Sequence, residues 1–198
     1  MDPLLPSLIG FSIAMYITPG PNNVMVAASS ANHGVGATIP HMLGIVLGFS
    51  LMLVAVCAGF GSVLTALPWL LPLFRWGGAA WLGWLAWRIA AAPPPEAGAR
   101  RPVLGFFGAM AFQWVNPKAW LIGISAAGEY MDPGPLAPQV LRIFLVFLAV
   151  GLPCLAVWAL IGRGAARLLT SRRRLRAFNV AMGILLVGSV IPVLLDSL

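Results

Sequence analysis

Charge is what this sequence most lacks. Only 9% of its 198 residues are Asp, Glu, Lys or Arg, against about 25% in an ordinary soluble domain. Between Asp2 and Arg75 none of the four occurs. A water-facing surface needs polar cover, so a stretch of that length excludes a soluble core and fits several membrane spans in succession. Residues that carry chemistry are just as sparse. Cys57 and Cys154 stand far apart without a CxxC spacing and are silent on the redox compartment. His33 and His41, with Met52 and Cys57 beyond them, trace at most an open soft-metal path and no closed ligand set. No Ser-His-Asp or Cys-His arrangement is visible, and no carboxylate stands inside an apolar run, so no cofactor is expected. "MDPLLPS" lacks the basic start of a signal peptide, and the N-terminus is expected to be retained.

What is present is apolar: 60% of the chain is hydrophobic. Six segments emerge at about 4–28, 38–66, 73–92, 103–128, 139–163 and 177–195, each near the roughly 20 residues that a span requires. The connections "SSANHGVGA", "LPWLLP", "PPPEAGARRP", "EYMDPGPLAP" and "ARLLTSRRRLR" read as loops. The net charge of +7 comes from arginines at segment ends, the pattern of cytoplasmic loops, and does not point to nucleic acid. Arg100 and Arg101 mark the third loop, and Arg163, Arg167, Arg172, Arg173, Arg174 and Arg176 the fifth. The odd loops are therefore expected in the cytoplasm and both termini in the periplasm.

The halves resemble each other. "GFSIAMYITPGPNNVMVAAS" and "GFFGAMAFQWVNPKAWLIGIS" both open Gly-Phe, reach a proline break some eleven residues later, and resume an apolar run. Three spans per half invert the second half relative to the first. The expectation is an all-α integral membrane protein with six transmembrane helices as two inverted three-helix repeats, the first and fourth helices broken. The chain is then one transporter domain over 1–198: repeat one about 1–92, a cytoplasmic linker about 93–102, repeat two about 103–198. Paired breaks in inverted halves point to a transport site where the repeats meet.

The breaks have a local cause. Pro21 has no N–H and its ring clashes with the preceding turn, so the first helix stops and restarts there. Asn116 suits an N-cap, with Pro117 at the first helical position. Both places expose backbone N–H groups at a half-helix N-terminus, where a substrate carboxylate is favoured. Lys118 is the one cation well inside a predicted span, about 22 Å along the fourth helix, and a bound carboxylate would relieve its burial. The competing readings are a kink satisfied by neighbouring helices and a lysine that snorkels to the outer interface.

At "TPGPNN" and "WVNPKAW" the chain resembles the LysE/RhtB family of amino-acid exporters. The likeness runs on through "GVGATIPHMLGIVLGF" and "RWGGAAWLGWLAWRIA". Pro19, Gly20, Pro21 and Asn22 stand where the family has PGPN, while Asn116, Pro117 and Lys118 match its NPK. "TPGPNN" and "WLAWRIA" look most like the cysteine/O-acetylserine exporter branch. The resemblance implies an inner-membrane exporter of small amino acids that works without a nucleotide. One departure is a first cytoplasmic loop with only His33 where many members carry basic residues. The substrate-binding set expected is Pro19, Gly20, Pro21, Asn22, Asn23, Asn116, Pro117 and Lys118. The partners are a small amino-acid substrate, the lipid bilayer and, as a further expectation, a second copy in a homodimer. A soft-metal-ion exporter and a membrane enzyme or assembly subunit without its own flux are the alternatives.

Overall fold

The computed structural model describes residues 3–60, 69–92, 104–169, 171–189 and 191, and among these every regular element is helical. The first apolar segment is two helices, α1 (Leu5–Ile17) and α2 (Pro21–His33). Helix α1 ends because Thr18 is extended and the next residue is a proline, and α2 begins with Pro21 at its first position behind an extended Gly20. Helix α3 (Val35–Ala55) passes into a π-turn (Val56–Phe60), and α4 (Leu70–Ala90) follows beyond the undescribed residues. The fourth segment is broken like the first. It consists of α5 (Phe106–Phe112), a 3-10 turn (Gln113–Val115), an extended Asn116, and α6 (Pro117–Tyr130). Helices α7 (Leu136–Leu168) and α8 (Arg172–Gly188) follow.

Two expected loops are helix. "SSANHGVGA" shrinks to Gly34, whose positive φ of 85° turns the chain between α2 and α3. Its two serines and Asn32 are buried. The Ser29 and Thr38 hydroxyls pair at 3.0 Å, Ser30 Oγ donates to the Ala159 carbonyl at 2.7 Å, and Asn32 Nδ2 donates to Asn179 Oδ1 at 2.7 Å. "ARLLTSRRRLR" is likewise mostly helical. Helix α7 runs to Leu168, and α8 starts at Arg172 with the Ser171 hydroxyl accepting the Arg174 N–H at 3.2 Å. The third loop, with Arg100 and Arg101, and positions 61–66 of the second segment lie outside the described residues.

Helix α7 has 33 residues, about 50 Å at the α-helical rise, and both α1 and α2 pack along it. They run in its direction: Phe11 meets Phe147, Tyr16 meets Gly151, and Ala27 meets Gly162. Helix α5 lies on α3 in the same sense, Gly44 against Phe106 and Gly48 against Met110. Helix α4 pairs with α8, Gly183 against Ala86. A Cβ on Gly162 would lie 2.1 Å from the Ala27 carbonyl oxygen, so glycine is what lets these two backbones touch.

The packing is inside-out for water. On α1, Leu5, Ile9, Ile13 and Ile17 form an exposed stripe, while Leu8, Ser12 and Tyr16 face inward. Elsewhere Asn23, Ser29, Ser30, Asn32, Thr38, His41, Ser50, Gln113, Asn116 and Asn179 are buried. Apolar surface outside and polar groups inside, most of them hydrogen-bonded, is the arrangement a hydrocarbon solvent selects. Val35–Gly59 and Leu136–Leu168 are each long and apolar enough to cross a bilayer.

Candidate functional site

The two breaks come together. A cavity of about 30 Å³ is lined by Met15, Tyr16, Gly20, Pro21, Asn22 and Asn23 from the first half, and by Asn116, Lys118, Ala119 and Ile122 from the second. Phe49 of α3 closes one wall. All the expected site residues therefore line one cavity except Pro19 and Pro117, which flank it in sequence.

The first break presents both ends of a helix. At the end of α1, Asn23 Nδ2 donates to the Tyr16 carbonyl at 2.8 Å and to the Thr18 carbonyl at 2.7 Å. Lys118 reaches across from α6, and its Nζ donates to the Thr18 carbonyl at 2.7 Å and the Pro19 carbonyl at 3.2 Å. A cation is favoured there because those carbonyls form the negative end of α1. The lysine is thus turned toward the other half of the molecule rather than outward. Gly20 lies beneath it: a Cβ there would stand 2.8 Å from Lys118 Cδ and 3.0 Å from Nζ, so the end of the lysine would have to shift.

The N-terminal ends of α2 and α6 differ. At α6, Asn116 caps the helix, its Oδ1 accepting the Lys118 N–H at 3.2 Å while its carbonyl accepts from Ala119 and Trp120. At α2 no side chain caps the helix; Gly20 supplies only its carbonyl, to Val24 at 3.0 Å. The Asn22 and Asn23 N–H groups, on residues that line the cavity, have no acceptor among the described residues. Open amides and the Lys118 ammonium therefore lie at one place, and neither set has an anionic partner among the cavity-lining residues.

Asn22 joins the halves directly. Its Nδ2 donates to Gln113 Oε1 at 2.9 Å, and Gln113 Nε2 donates back to Asn22 Oδ1 at 3.1 Å and to the Ala109 carbonyl at 2.9 Å. Gln113 is fully buried and was not anticipated, although it is a rare amide within an apolar run. Thr18 was missed because it contributes a main-chain carbonyl, which no side-chain pattern marks. Tyr16 and Ser50 add two buried hydroxyls that lack a hydrogen-bond partner, with the Tyr16 ring among Phe49 and Phe147. Among the described residues no group of three or more His, Cys, Asp or Glu gathers to hold a metal ion.

The LysE type translocator family model matches residues 13–197 of the chain. The chain belongs to the LysE translocator family. It is 32% identical over 186 residues to the cysteine/O-acetylserine efflux protein of Escherichia coli (strain K12), covering 93% of this chain and 94% of that protein. It is 33% identical over 190 residues to the protein of the same name from Shigella flexneri, covering 94% and 96%. No solved structure matches. This LysE translocator is an integral membrane transporter of a small molecule and not an enzyme. Its apolar exterior and its buried polar seam are the two features that such a task demands of a fold.

Proposed function

We propose that this translocator exports small amino acids or their derivatives across the bacterial inner membrane as a secondary carrier, with cysteine and O-acetylserine the first candidates. The observation that carries the proposal is the joint cavity of the two breaks, which offers open amides, a cation and helix-end carbonyls within one site. The names of the bacterial relatives support the substrate class.

A zwitterion complements this site through an exchange of partners. Its carboxylate binds the open N-terminus of α2, at the Asn22 and Asn23 amides, and draws the Lys118 ammonium toward itself. The Thr18 and Pro19 carbonyls that Lys118 releases then accept the substrate's ammonium. Charge stays balanced throughout, with no acidic side chain needed. A space of about 30 Å³ holds about two waters, so the helices must part to admit an amino acid. Asn116 holds α6 in place, and Pro117 and Pro21 keep both helices from running through the breaks.

The six spans form two inverted repeats, about 1–92 and about 103–198, joined by a cytoplasmic linker at about 93–102. Helix pairing supports this: exchanging spans one and four, two and five, three and six maps α1–α7 packing onto α5–α3 packing and returns α4–α8 to itself. Both termini are periplasmic, and a homodimer in the lipid bilayer is the assembly expected. The test is counterflow in liposomes holding only the purified protein. Labelled O-acetylserine or cysteine should accumulate against an unlabelled internal pool without ATP, and absence of counterflow for every amino acid tried would refute the proposal.

A further inference from the structure

Arg172, Arg173 and Arg176, in the first turns of α8, line a cavity of about 330 Å³ together with Ala92 and Leu175. No acidic side chain is among the described residues that line it. Three guanidinium groups at a helix N-terminus are unfavourably placed, because that end already carries partial positive charge. A phosphate there would relieve the repulsion, accept bidentate bonds from arginine, and meet the first N–H groups of a 17-residue helix.

The same helix pair carries a second cavity farther along. It measures about 410 Å³ and is bounded by Gly83, Ala86 and Trp87 of α4 and by Gly183, Ile184 and Gly188 of α8, with no charged residue among the described residues that line it. Along α8 its lining runs from Val180 to Gly188, about 12 Å at the helical rise, with Ile191 beyond the helix end. The hydrocarbon half of a bilayer is about 15 Å thick. A basic cavity and an apolar groove that covers most of a leaflet's depth thus follow one another on one seam, the order of a lipid headgroup and its chain. Gly83 and Gly188 have nothing within 4 Å of where a Cβ would stand, so the groove is open at both positions.

We propose that the α4–α8 seam binds one anionic phospholipid, its phosphate held by Arg172, Arg173 and Arg176 and one acyl chain lying in the groove past Gly183. A basic recess beside transmembrane helices is the kind of place where anionic headgroups bind. The site stands apart from the joint cavity of the two breaks and does not depend on which substrate that cavity takes.

The test measures binding of phosphatidylglycerol to the purified full chain in detergent, by native mass spectrometry and by the rise in melting temperature. Phosphatidylcholine and inorganic phosphate serve as the comparison probes. The expected result is saturable retention of phosphatidylglycerol alone. Arg172→Gln, Arg173→Gln and Arg176→Gln should each weaken it about fivefold. Arg163→Gln and Arg167→Gln, exposed positions on α7, should leave it unchanged. Gly188→Leu should fill the groove and weaken binding while the basic cavity stays intact. Equal retention of phosphatidylcholine, or an equal response to phosphate alone, overturns the proposal. So does a loss with the α7 variants as large as with the α8 variants. A Gly188→Leu protein that changes oligomeric state yet binds lipid normally would assign the groove to a second copy instead.

Discussion

Replacing Lys118 by methionine keeps most of the side chain's length and apolar volume while removing its charge. The effect on stability follows from the carbonyls left behind. Thr18 O retains the Asn23 amide at 2.7 Å, so it stays bonded, whereas Pro19 O loses the partner it had at 3.2 Å. One orphaned carbonyl costs about 1–3 kcal/mol. Removing a cation from a transmembrane segment returns a comparable amount, about 2.5–3.5 kcal/mol for a central position and less nearer the interface. The two nearly cancel, so Lys118→Met should be produced, inserted and folded at the parent's level. Transport should behave otherwise. A charge-assisted bond to the substrate carboxylate contributes about 1.5–3 kcal/mol, and its loss lowers apparent affinity about ten- to a hundredfold. The assay is concentration-dependent uptake into inverted vesicles, with melting temperature and protein amount measured on the same preparation. Esterified amino acids supply the internal control, since they should bind the parent poorly and be far less sensitive to the substitution. Normal export by Lys118→Met at low substrate concentration would refute the reasoning and leave the lysine as a cap for α1 only.

Three further outcomes are expected. Gly20→Ala places a Cβ against the Lys118 ammonium and must displace it; export should fall without loss of protein, and adding Gly20→Ala to Lys118→Met should cost little more, whereas full additivity would separate the two residues. Asn32→Ala leaves the buried Asn179 amide without its reciprocal partner, whose bonds are 2.7 and 3.0 Å; it should destabilise the fold by about 1–3 kcal/mol, while Asn32→Leu with Asn179→Leu should be milder, as read by thermal denaturation. A reporter active only in the periplasm should work when fused after Leu198, and activity of a cytoplasmic reporter there would reverse the arginine-based orientation.

The breaks were legible in the sequence because their cause is local. Pro21 and Pro117 lack an N–H wherever they stand, and Asn116 is a cap by its own chemistry. Their meeting was expected from repeat symmetry, but the contact that joins them was not: Lys118 and the Thr18 carbonyl are separated by 100 residues. The carbonyls at the end of α1 are held by Lys118, a main-chain contact that no side-chain pattern marks. Helix ends were misjudged where polar residues look inward. Ser29, Ser30 and Asn32 resemble a loop when water is taken as their partner, yet their partners are Thr38, Ala159 and Asn179. The arginines after Ser171 were taken for a loop on charge alone, although arginine favours helix and the serine caps it.

The central claim is that one substrate molecule is held by both halves at once. Single cysteines at Met15 and Ile122, one from each half in the lining of the joint cavity, test it most directly in a protein whose Cys57 and Cys154 have been replaced. The rate of modification by a small thiol reagent is measured with and without a saturating amino acid. The account predicts that the same substrate, over the same concentration range, slows modification at both positions. Protection at only one of them, or at neither while counterflow persists, would contradict it.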